Sequence, residues 1–136
     1  MIPDVLSQKS ANNKGIILTD GTLTSLITAG SNGLKIQSIA VANEDNVINP
    51  ALIQIWFNNG TTDFLLGTAP VPFKSGTDGS PSYNIINDID LPFVETDAFG
   101  NRFIRLKNTE SIKIKVTTAI APGKNIYVTA FSCPFK

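Results

Sequence analysis

Apolar residues recur at every second position over short stretches of this chain, and polar or turn-forming residues separate those stretches. Period two puts successive side chains on opposite faces of a strand, so each stretch predicts a strand with one buried face. The alternation is cleanest near the carboxyl end. There Ile112, Ile114 and Val116 alternate with Lys113, Lys115 and Thr117, and Ile126, Val128 and Ala130 alternate with Tyr127, Thr129 and Phe131. With Pro122-Gly123 between them, these two stretches predict a hairpin.

The same reading predicts strands over 15–19, 22–28, 34–43, 51–58, 63–67 and 102–107. Asp20-Gly21, Asn59-Gly60 and Asn108-Thr109-Glu110 supply turns between them. Alternation slips near Ser38, which predicts a bulge. Pro70 and Pro72 keep their segment out of any central strand. Residues 83–91 carry weaker strand signals inside an insert, 74–101, that is long for a connection and is expected to form an exposed loop or a contact. No segment offers the apolar spacing of a helix over ten residues. The fold class expected is all-β: an antiparallel β-sandwich, jelly-roll-like, of about eight strands.

A length of 136 residues fits one domain, expected over 15–136. Residues 1–14 read as an amino-terminal arm or lead-in, either loose or ordered on a neighbouring subunit. Charged residues make up 16%, below the ~25% usual for soluble domains. That points to a surface spent largely against partners, although threonine and asparagine can also solvate a sheet. Eleven basic and eleven acidic side chains cancel, so no net field draws in nucleic acid or an anionic membrane. Neither a signal peptide nor an apolar run of membrane-spanning length is visible. The lone Cys133 permits no internal disulfide, which suits a reducing compartment or a particle assembled inside a cell.

Candidate chemistry is sparse. The chain has no histidine, which removes the commonest acid–base group and the usual base for a serine or cysteine nucleophile. One cysteine cannot hold zinc, and Gly76-Thr77-Asp78-Gly79 lacks the lysine of a phosphate loop. No enzyme activity and no cofactor are expected. Asp88, Asp90, Glu95 and Asp97 lie close in sequence; they read as solvated loop residues, with calcium binding the alternative.

Contact surfaces are the better candidates. Residues 51–58 are apolar on both faces, with Ile53, Ile55 and Phe57 on one and Leu52, Gln54 and Trp56 on the other. One of these faces therefore lies outside the core. Tyr127 and Phe131 face away from Ile126 and Val128 and join Leu52 and Trp56 as candidate contacts. Arg105, Lys107, Lys113 and Lys115, with Phe103, are expected to share a basic outer face on adjacent strands. That face reads either as solvation that protects a strand or as a contact with an acidic patch on another protein.

The order of these elements resembles a known class. It runs from the threonine-rich stretch 22–28 through Leu34-Lys35-Ile36-Gln37-Ser38-Ile39-Ala40-Val41-Ala42-Asn43 and a polar loop to an apolar strand, its hairpin return Phe64-Leu65-Leu66 and Pro70-Val71-Pro72. It closes with Ser111-Ile112-Lys113-Ile114-Lys115-Val116 and Asn125-Ile126-Tyr127-Val128-Thr129-Ala130-Phe131. It is similar to small β-sandwich virion proteins of tailed bacteriophages, of the capsid decoration (auxiliary, cement) type. The resemblance implies a virion protein assembled in the host cytoplasm. Its partners would be the major capsid protein or other virion proteins, and it would be a homo-oligomer, with a trimer the first expectation. A neck, tail or fibre-base component and a carbohydrate-binding sandwich are the alternatives.

Overall fold

The computed structural model describes residues 12–44, 51–72, 74–77, 79, 81–88, 93–118, 120 and 122–135. Among the described residues eight strands have five or more residues: β1 (Lys14–Leu18), β2 (Thr24–Thr28), β3 (Leu34–Asn43), β4 (Ala51–Asn58), β5 (Asp63–Val71), β8 (Arg102–Leu106), β9 (Ser111–Val116) and β10 (Ile126–Cys133). The insert between β5 and β8 adds β6 (Tyr83–Asn84), the short helix α1 (Ile85–Asp88) and β7 (Glu95–Thr96).

One sheet runs β1-β10-β3-β8-β7, with β6 also on β3, and the other runs β2-β9-β4-β5. The pairing follows a simple rule. β4 and β5 form a hairpin around residues 59–62, and back along both arms β3 pairs β8, β2 pairs β9 and β1 pairs β10, all antiparallel. That long double strand is then rolled so that β10 also meets β3 and β4 also meets β9. The result is two four-stranded layers of a jelly roll, widened at one edge by the insert.

The inner faces fuse into one core of mostly β-branched side chains. Ile36, Ile39 and Val41 of β3, Ile53 and Ile55 of β4, Ile112 and Ile114 of β9, and Val128 of β10 are all fully buried. Such residues suit a strand because their restricted χ1 costs little there and they pack well on a pleated surface. The slip near Ser38 is a bulge: Phe131 pairs Ser38 and Ser132 pairs Ile36, leaving Gln37 unopposed. A second bulge leaves Leu26 unopposed between Ser25 and Ile27, so the adjacent Leu26 and Ile27 are both buried. β5 lies at an edge, where Pro70 pairs Leu52 without breaking an interior ladder.

Three expectations are corrected. The carboxyl-terminal stretches are not a hairpin, because β9 and β10 lie in different sheets. Alternation marks an inward face but not the sheet it belongs to, and 117–125 is long enough to cross between layers. In the segment 83–91 only Tyr83–Asn84 is strand before the chain turns into α1, and residues 89–91 lie outside the described residues. Asn84 causes the turn: its Oδ1 accepts from the Ile86 N–H at 3.1 Å, capping the helix, while its own N–H donates to Asp88 Oδ2 at 2.8 Å. The insert is not merely an exposed loop, since α1 buries Ile85 and Ile86 completely.

Of the expected arm, residues 1–11 lie outside the described residues. Asn12 and Asn13 hold the edge of β10: the Asn12 N–H donates to Ser132 O at 2.8 Å and the Ser132 N–H donates to Asn13 Oδ1 at 3.1 Å.

Candidate interaction surfaces

A sandwich buries the inner face of each sheet and turns the other outward. The outer face of the larger sheet carries Ile17, Tyr127 and Phe131, exposed by 59%, 37% and 43%. Ile17 sits opposite Tyr127, and Tyr127 opposite Ala42, so they share one row. Phe131 lies two rows along, opposite Ser38, and the row between holds Gly15, Thr129 and Ala40. The three large side chains thus stand above a floor of small residues.

The outer face of the smaller sheet is mixed. Ser25, Lys113, Trp56 and Leu65 form one row, Lys115, Gln54 and Thr68 the next, and Leu52 and Pro70 a third. Leu52 and Leu65 are exposed. Trp56 is half-buried and its indole N–H donates to Gln54 Oε1 at 3.1 Å. Lys113 is paired with Asp63 at 3.0 Å. The Asp63 carboxyl is held below its usual range, first by the 2.7 Å hydrogen bond from Asn58 and then by Lys113.

The basic face expected of Arg105, Lys107, Lys113 and Lys115 does not exist as one surface. Arg105 belongs to β8 of the larger sheet, with Lys107 just beyond it, whereas Lys113 and Lys115 belong to β9 of the smaller one. The turn at 108–110 carries the chain from one layer to the other. Phe103 also departs from expectation, being 6% exposed. The Lys35 ammonium lies 4.8 Å and the Arg105 guanidinium 5.9 Å from its ring centroid, so two cations cover it.

The acidic candidates are dispersed. Glu95 pairs Arg105 at 3.1 Å, Asp97 pairs Lys35 at 3.5 Å, Asp88 closes the start of α1, and Asp90 lies outside the described residues. Among the described residues no group of three or more His, Cys, Asp or Glu converges.

Asp97 shapes the tip of the β7–β8 hairpin. Its Oδ1 accepts from the Phe99 and Asn101 N–H groups, each at 2.9 Å, and its N–H donates to Asn101 O at 2.9 Å. Those N–H groups, Asn101 first, together with Lys35, hold its carboxyl below the usual range against some desolvation. Gly100 completes the turn at φ 83°, a conformation open to glycine. On this braced tip Phe99 is 90% exposed. The sequence pattern puts it in the insert 74–101 without marking it as a contact. The available signal was a phenylalanine between Asp97 and Gly100, where a turn usually carries polar residues.

Two hollows flank this hairpin. One of 280 Å³ is polar, lined by Lys35, Gln37, Asn87, Asp97, Asn101 and Arg102. The other, of 220 Å³, opens at the mouth of the sandwich and is apolar, lined by Phe57, Leu66, Phe93, Ile104, Arg105, Leu106 and Ile112. Phe57 stacks on Phe64 beside it, centroids 6.4 Å apart.

No protein-family model matches the chain, and comparison with curated proteins finds no match. Among solved structures it is similar to a chain of the acidic stable capsid structure of Helicobacter pylori bacteriophage KHP30. The TM-score is 0.51 at 10% identity, over 93% of this chain and 89% of that one. At that identity the likeness is one of fold.

Proposed function

We propose that this chain is a structural protein of a tailed-phage particle that decorates or cements the capsid through multivalent protein contacts. The observation that carries the reading is the pair of outward sheet faces. Ile17, Tyr127 and Phe131 on one, with Leu52 and Leu65 on the other, leave apolar side chains in water on both layers of a sandwich that already buries a core of its own. Exposed apolar groups spread over two opposed faces suit a subunit wedged between neighbours better than a chain with one ligand cleft. The likeness in fold to a phage capsid chain supports the same reading, as does the low charge.

Each such contact is weak alone. Repeated over a lattice, and joined within an oligomer, the contacts add as avidity. A trimer is the first oligomer to test. The binding experiment uses capsids stripped of this protein by chaotrope and the purified chain added back. Saturable cosedimentation, with sites scaling with the capsid lattice, is the expected result. Binding confined to one vertex per particle would favour a neck or tail component instead, and no binding would reject the proposal.

A further inference from the structure

The exposed Phe99 and the apolar hollow at the sandwich mouth belong to the same hairpin but to opposite ends of it. Phe99 is the tip, whereas Phe93 and Arg105, in the wall of the hollow, are the base. The chain runs outward from Phe93 only as far as the turn at 97–100, about four residues or roughly 13 Å at strand rise, and Phe99 on that turn is 90% exposed. The side chain therefore cannot fill its own chain's hollow. It can fill that of a second copy.

We propose that copies of this chain associate head to tail, with Phe99 of one inserted into the hollow lined by Phe57, Leu66, Phe93, Ile104 and Ile112 of the next. Three features fit. The hollow measures 220 Å³, more than the roughly 150 Å³ that accommodates benzene in a protein interior. Arg105, the charged residue of its wall, is already paired with Glu95 at 3.1 Å, so a docked ring leaves no cation unpaired there. The tip is pre-organised by the Asp97 hydrogen bonds, so docking Phe99 orders little further chain. Knob and hole on different surfaces make a heterologous contact, which closes into a ring where the rotation allows. The inference concerns the chain alone and stands apart from the virion proposal, so either can fail without the other.

Sedimentation velocity on the purified full chain tests it. Wild type should self-associate in a concentration-dependent way. Phe99→Ser, at a site too exposed to affect folding, should weaken association by about 30-fold or more, the loss of one central aromatic contact. Leu66→Arg should do the same from the other side, with Leu66→Gln used if circular dichroism shows the arginine variant unfolded. Mixing the two variants should restore association only as far as pairs, since one supplies the sole intact knob and the other the sole intact hole. A wild-type chain that stays monomeric to roughly 1 mM, or a Phe99→Ser chain that associates like wild type, overturns the proposal.

Discussion

The turn between β2 and β3 carries the chain from one sheet to the other, and two glycines three positions apart should respond to the same substitution with opposite signs. The Gly33 N–H donates to Gly30 O at 3.0 Å, closing the turn. Gly33 sits at φ 73°, and a Cβ built there would lie 2.8 Å from the carbonyl oxygen of Leu106. Alanine at 33 would thus carry a left-handed backbone cost of roughly 1–2 kcal/mol. It would also push on β8 where Leu34 pairs Leu106, an overpacking cost typically of about 1–3 kcal/mol. Gly33→Ala should therefore destabilise by about 3 kcal/mol, roughly 10 °C in Tm for a chain of this size. At Gly30 a Cβ meets nothing within 4 Å and the backbone is not left-handed. Gly30→Ala should gain roughly 0.4–1 kcal/mol by restricting the unfolded chain. Urea unfolding followed by circular dichroism reads both. A Gly33→Ala chain within about 0.5 kcal/mol of wild type, or equal losses at both positions, would refute the reasoning.

Ile86→Ala should cost about 2–5 kcal/mol in the same assay, because α1 is part of the core; a negligible loss would return the insert to the status of a surface loop. Tyr127→Ser and Phe131→Ser should leave stability within about 0.5 kcal/mol while weakening binding to stripped capsids, and an unchanged binding isotherm would remove the larger sheet's outer face from the proposed contact. Asp20, Asp63 and Asp97 all have carboxyls held below their ordinary range by hydrogen bonds, from Thr22, Asn58 and Asn101 foremost. The folded state thus favours their ionised forms, so their contribution is present above the ordinary carboxylate range and lost as pH falls through the folded values, below about 4. Thermal midpoints should fall over that window, and a midpoint that holds or rises there would contradict the assignment.

What could be read from the sequence was local. Inward positions such as Ile53, Ile114 and Val128 followed from period two, and the bulge beside Ser38 followed from its interruption. The proline-marked edge at β5 was equally legible. Partner choice was not, because alternation says which side of a strand is apolar and nothing about which layer it joins. β9 and β10 therefore read as a hairpin, and Arg105 read as a neighbour of Lys113. Phe103 was misjudged because its cover, Lys35, lies far away in sequence. The short helix α1 escaped notice because four residues are too few to establish a period, and its cap at Asn84 was the only local sign. Phe99 was overlooked for a different reason: pattern analysis looks for apolar residues in strands and treats a turn as punctuation.

The central claim is that this chain is a repeated structural component of a phage particle. Quantitative mass spectrometry of purified virions, counted against the major capsid protein and repeated after a chaotrope wash, tests it most directly. The account predicts the chain in intact particles at a copy number near that of the major capsid protein, and its release by the wash. Its absence from purified virions would contradict the account.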